Sequence, residues 1–156
     1  MTLLDFLSEP LVKVGLRART KDEAIDELID LLVERGEVAA ADRPRVAKAI
    51  FDRERSRTTG MEHGVALPHG AVEGLEEVAA ALGIAPDGID FGAADGQPTR
   101  LIVLLAIPRN LLQFHVRTLA GIARLLNDEA FRQRLERART PAEAVAAMRD
   151  GEEGIP

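Results

Sequence analysis

The sequence predicts a single three-layer α/β domain over residues 1–150, a mixed β-sheet with helices on both faces, with a loose tail over 151–156. Three observations carry that expectation. Residues 101–107 read Leu-Ile-Val-Leu-Leu-Ala-Ile, the pattern of a strand covered on both faces. Segments with helical hydrophobic period lie before and after that run in the chain. The length of 156 residues, with 46% hydrophobic and 29% charged residues, suits one well-cored domain and is short for two.

The elements follow in order. Residues 11–14 lean apolar and end at Gly15, an opening strand. Thr20-Lys21-Asp22-Glu23 has capping-box spacing, and Ala24, Ile25, Leu28, Ile29, Leu32 and Val33 recur at helical period until Gly36 stops the helix. A second helix begins near Asp42 with Pro44 in its first turn, turns Val46, Ala47, Ile50 and Phe51 inward, and ends over residues 53–57. Val65-Ala66-Leu67, punctuated by Gly60, Gly64, Pro68 and Gly70, reads as a short buried strand. Residues 78–84 make another strand, and Asp87-Gly88 and Asp95-Gly96 are turn dipeptides. After Pro108 the pattern is helical again, with Leu112, Val116, Leu119, Ala123 and Leu126 along one face. Asn127 or Asp128 caps a following helix carrying Phe131 and Leu135, and Thr140-Pro141-Ala142-Glu143 opens a last one.

Composition excludes several function classes. Twenty Lys and Arg stand against 26 Asp and Glu, a net charge of −6 that argues against nucleic acid as a partner. Tyr and Trp are absent and aromatics amount to 3%, so no stacking platform is available. Cysteine is absent, which removes disulfides, thiolate metal sites and cysteine nucleophiles and fits a reducing, cytoplasmic setting. No apolar run approaches the roughly 18 residues of a membrane span, and no basic n-region opens the chain. The chemistry therefore falls to three histidines, carboxylates, arginines and hydroxyls.

The stretch from Arg53 to Gly70 is the informative one. His69 follows a short apolar run and a proline, with Gly70 directly after, so the ring is expected at a strand end with small neighbours. A neutral imidazole is nucleophilic near pH 7 and can take a phosphoryl group if its other nitrogen donates to a fixed acceptor. The incoming anion needs donors, and Arg53, with Arg55 or Arg57, the Thr59 hydroxyl and backbone N–H groups of the glycine turns are the candidates. Each residue also has an ordinary structural reading: a solvated loop histidine, a last-turn helix arginine, a turn hydroxyl.

Arg53-Glu54, Thr59-Gly60, Gly64, Val65-Ala66-Leu67 and Pro68-His69, in that order and without a gap, resemble the active-site signature of the fructose/mannitol-type enzyme IIA domains of the bacterial phosphotransferase system, including the nitrogen-regulatory IIA proteins. His115, opening a Leu-rich helix after the apolar strand, matches that family's second histidine. The resemblance implies that His69 accepts a phosphoryl group from a small HPr-like carrier and passes it to a IIB component or uses it as a regulatory signal. It also implies that His115 lies beside His69 and that Arg53 is the charged partner, with Thr59 and Gly70 at the phosphoryl group. No cofactor and no metal are implied. The turn Met61-Glu62-His63-Gly64 departs from the Gly-x-Gly that often stands there. Met61, Leu111, Leu112 and Phe114 form a candidate apolar rim for docking the carrier, or the first turn of a helix packing inward. A remote alternative is a zinc site from Glu62, His63, His69 and His115.

Overall fold

The computed structural model describes residues 2–154, in which five strands and five α-helices form three layers. The strands are β1 (Val12–Val14), β2 (Val65–Ala66), β3 (His69–Val72), β4 (Ala79–Ile89) and β5 (Thr99–Pro108). The helices are α1 (Lys21–Glu34), α2 (Arg43–Ser56), α3 (Leu112–Leu126), α4 (Glu129–Glu136) and α5 (Pro141–Gly154). The sheet is mixed: β1 runs parallel to β4, β4 antiparallel to β5, and β2 and β3 lie one after the other, both parallel to β5 along its other edge. β5 is central, and Leu101 to Pro108 are all buried, as a strand sandwiched between helices requires. Helices α1 and α2 pack on each other and form one layer; α3, α4 and α5 pack in sequence to form the other.

The caps act where the sequence puts them. Thr20 accepts from the Glu23 N–H, Asp128 from Phe131 and Thr140 from Glu143. In neither expected capping box does the glutamate reach back to the cap residue; Glu23 and Glu143 instead take the N–H one residue earlier, of Arg19 and Arg139. Gly36, at φ 76°, ends α1.

Four expectations are corrected. Asp87-Gly88 is not a turn between elements: β4 runs through it, and the pair makes a bulge that shifts the β4–β5 register between Ile84 and Ile89, with Gly88 at φ 79°. Val116 does not line the inner face of α3. It is 51% exposed, and the inward positions are His115, Thr118, Ile122 and Leu126. The tail is not loose from Gly151. Helix α5 continues to Gly154, because Gly151 seats directly on the Phe131 ring and Glu152 accepts from the Leu4 N–H; Ile155 and Pro156 lie outside the described residues. His69 is not a residue beyond a strand but the first residue of β3, since the chain re-joins β5 immediately after Pro68.

Candidate functional site

The site begins with the last turn of α2. Val46, Ile50 and Glu54, spaced four apart, share the buried face of the helix. A carboxylate thus occupies the position where the apolar stripe calls for another hydrophobe. It is compensated fully: Lys21 Nζ from the first turn of α1 stands 2.7 Å away, the Thr59 N–H donates at 2.7 Å, and the Thr59 hydroxyl donates as well. Burial alone would raise the Glu54 pKa, but Lys21 and the two Thr59 donors outweigh it and hold the carboxyl below its ordinary value. The neighbouring Arg53 is half-buried, and its Nη1 donates to the Arg57 carbonyl at 2.9 Å. That bond closes the helix end and leaves the rest of the five guanidinium N–H groups for an anion.

Beyond α2 the chain makes a tight excursion. Gly60 and Ala66 form an antiparallel bridge, the Met61 N–H donates to the Val65 carbonyl at 2.7 Å, and the Leu67 N–H donates to Thr59 at 3.3 Å. The turn at its tip holds His63 at φ 68° and Gly64 at φ 80°. His63 therefore occupies a left-handed position that glycine would fill without strain, and its N–H is fixed by the Asp95 carboxylate at 2.9 Å. The excursion returns the chain to the edge of β5 at His69, in register with Leu105.

His69 is half-buried, and its Nδ1 lies 2.7 Å from the Leu67 carbonyl oxygen. A carbonyl can only accept, so Nδ1 carries the proton and Nε2 carries the lone pair. Desolvation lowers the His69 pKa most. The Leu67 carbonyl opposes that shift, the Arg53 charge adds to it and the Glu54 charge opposes it, leaving a net lowering. The ring is thus neutral at pH 7, with one nucleophilic nitrogen in the field of a guanidinium. Helix α2 and β3 meet without an intervening side chain: a Cβ on Gly70 would stand 2.7 Å from backbone atoms of Ala49 and Ile50. Gly70 is therefore the close-contact residue that brings Arg53 and His69 near each other.

The other expected residues divide. The Thr59 hydroxyl gives its proton to Glu54 and is buried, so it is an internal brace and not a donor facing an incoming anion. His115 is buried on α3, with Nδ1 3.3 Å from the Thr118 hydroxyl and its ring edge-on to Phe6 and Phe114. Those contacts, and not one to His69, are the ones His115 makes, and burial lowers its pKa. The Leu67 carbonyl, not His115, orients the His69 ring. Of the apolar rim, Met61 and Leu112 are half-buried against the core, while Leu111 and Phe114 face outward. The zinc alternative falls: Glu62 and His63 are exposed at the hairpin tip, His63 faces a polar cleft shared with Asp95 and Arg132, and His115 is interior. Among the described residues no group of three or more metal-ligating side chains converges. Glu54 and Lys21 were missed as site residues, though a carboxylate on an apolar helical stripe is the signal that marks the first of them. Among the described residues no helix is long and apolar enough to cross a membrane.

A sequence model of the family described as "Phosphoenolpyruvate-dependent sugar phosphotransferase system, EIIA 2" matches residues 5–150. The nitrogen regulatory protein of Bradyrhizobium diazoefficiens is 32% identical over 95% of this chain and 94% of that protein. The fructose-specific EIIABC component of Bacillus subtilis is 30% identical over 86% of this chain, which spans 21% of that longer relative. Among solved structures, the nitrogen regulatory protein IIA-Ntr from Neisseria meningitidis matches with a TM-score of 0.82 and 26% identity, over 92% of this chain and 97% of that one. IIA mannitol from Escherichia coli matches with a TM-score of 0.77 and 26% identity, over 91% and 98%.

Proposed function

This chain belongs to the EIIA 2 family of the phosphoenolpyruvate-dependent sugar phosphotransferase system, and we propose that it is a phosphoryl carrier whose acceptor atom is His69 Nε2. The observation that carries this reading is the Nδ1–H···O=C bond from His69 to Leu67, which leaves a single lone pair, on Nε2, beside Arg53. The Nε2 lone pair forms the new N–P bond as the N–P bond of an HPr-like carrier's phosphohistidine breaks, and the electron pair of that bond returns to the carrier's nitrogen. The His69 ring gains positive character in the product, and the Leu67 carbonyl stabilises it through the Nδ1 proton. Arg53 stabilises the charge on the transferring oxygens. The reverse exchange hands the group onward, with no cofactor or metal involved. On this reading Leu111 and Phe114, the outward-facing pair of the apolar rim, meet the carrier, and the exchange takes place in the cytoplasm. His115, buried at the start of α3, holds Phe114 in place.

The downstream acceptor divides into a regulated target protein or a separate IIB component. Likeness to nitrogen regulatory proteins over nearly the whole chain favours the former. A fructose-specific EIIA component from Haloferax volcanii, 33% identical over 74% of this chain, keeps the sugar-transport reading in play. The test is incubation with phosphoenolpyruvate, enzyme I and an HPr-type carrier. One acid-labile, base-stable phosphoryl group per chain is expected, absent in His69→Ala. Equal labelling of His69→Ala and the parent overturns the assignment.

A further inference from the structure

Between Asp95 and Asp128 the chain contains no acidic residue, in a sequence that carries 26 acids and a net charge of −6. β5 takes up 10 residues of that stretch and α3 takes up 15; of the arginines in the stretch, Arg117 and Arg124 lie on α3, while Arg100 and Arg109 lie on β5 and the turn after it. Arg117 and Arg124 are seven residues apart on α3, hence on one face and about 10 Å apart along the axis. Both are exposed, and among the described residues neither is in an ion pair, whereas Arg43, Arg45 and Arg134 are each paired with an aspartate.

The two arginines border a groove of about 490 Å³, lined also by Gln113, Phe114, Thr118 and Gly121. Its floor is Gly121, where a Cβ would have only the Arg124 guanidinium near it, at 3.8 Å. A second backbone can therefore approach α3 closely at this point. At one end stands Phe114, 60% exposed yet held edge-on against the buried His115 ring at 5.0 Å. A large aromatic surface that is both exposed and braced is the form of an interface anchor.

We propose that the outward face of α3 docks an acidic amphipathic helix of a partner protein. Carboxylates two turns apart on that helix meet Arg117 and Arg124, its small or apolar stripe lies over Gly121, and one large apolar side chain packs on Phe114. The spacing of the two cations matches the two-turn repeat of a helix, which favours a helical partner. The negative charge of the rest of the chain repels a nucleic acid, and the groove offers one aromatic ring where a strand of bases needs several. The proposal goes beyond the phosphoryl reading of His69 and does not depend on it; Phe114, assigned above to the carrier, is a residue that the two surfaces share.

The probe is a fluorescein-labelled 18-residue helical peptide with glutamates seven residues apart flanking a Leu/Ala stripe; its partner control has lysine at every glutamate. Fluorescence anisotropy is read at low salt and at 0.5 M salt, with amide chemical shifts mapping the contact. The acidic peptide is expected to bind in a salt-weakened manner, to shift signals of residues 113–124, and to bind at least tenfold more weakly to R117E/R124E and to Gly121→Leu. The pair R117Q/R124Q, which keeps side-chain size, guards against a folding defect and is expected to weaken binding as well. His69→Ala is expected to bind the peptide unchanged while losing its phosphoryl group, so the two readings fail separately. The proposal is overturned if the acidic peptide does not bind, if the lysine peptide binds equally, or if the arginine variants bind like the parent. Tighter binding of a 20-base DNA at the same salt overturns it, as does self-association of the parent abolished by R117E/R124E.

Discussion

Glu54→Ala removes the buried carboxylate that ties α1, α2 and the 59–67 hairpin together, and its cost follows from what is left behind. Three donors lose their acceptor: Lys21 Nζ, the Thr59 N–H and the Thr59 hydroxyl. A quarter of the Lys21 side chain is already in water, so the ammonium turns outward at little cost. The two Thr59 donors are interior, and each unsatisfied buried donor costs about 1–3 kcal/mol. With the loss of side-chain packing, the expected destabilisation is about 3–5 kcal/mol, or roughly 10 °C in Tm for a domain of this size. Glu54→Gln keeps one acceptor oxygen and the same shape, so about half of that loss is expected. The assay is urea unfolding followed by far-UV circular dichroism at pH 7. The linkage sign gives a second readout. The Glu54 pKa is lowered in the folded state, so its contribution is present above the unfolded carboxyl value and is lost as pH falls through the folded one. Lys21→Met is therefore expected to move the acid-unfolding midpoint to higher pH. A loss below about 1 kcal/mol for Glu54→Ala, or an equal loss for Ala and Gln, refutes the reasoning.

Gly70→Ala drives a methyl group into the α2 backbone, which cannot yield as a side-chain end would; a loss of about 1–3 kcal/mol is expected by urea unfolding, together with slower phosphoryl transfer as Arg53 and His69 separate. Arg53→Ala is expected to fold normally and to slow labelling of His69 by about 10²-fold, with Arg53→Lys intermediate, measured by rapid-quench phosphorylation. His69 and His115 both have lowered pKa values, so the unfolded chain takes up protons that the folded chain refuses. Their stabilising effect is complete above about pH 6.5 and is lost as pH falls below it; unfolding at pH 7.5 and 5.5 should show the decrease, reduced in His69→Gln.

What the sequence made legible was whatever is written locally. β5 declares itself because seven consecutive hydrophobes have no other place than a strand covered on both faces. The caps at Thr20, Asp128 and Thr140 are likewise local chemistry. His69 and Arg53 stood out as a nucleophile and a cation, and the fold does put the one in the field of the other. The errors come from long-range partners. Asp87-Gly88 reads as a turn in isolation, and only the continued pairing of β4 with β5 makes it a bulge. Periodicity alone sets Val116 on the inner face of α3, whereas Phe6 and Phe114 provide the His115 ring with an interior place and Val116 turns outward. The Glu54–Lys21 pair joins the end of one helix to the start of another, a proximity that no sequence spacing encodes.

The tether on His69 is made by a carbonyl only two residues back along the same chain. It fixes the ring and is already formed before any visitor arrives, so on the proposed reading only one ring atom is on offer. A group that enters there must leave by the same door. Giver and receiver then compete for one approach and must call in turn, and the traffic through this protein is a relay of single handovers rather than a bridge between two simultaneous guests.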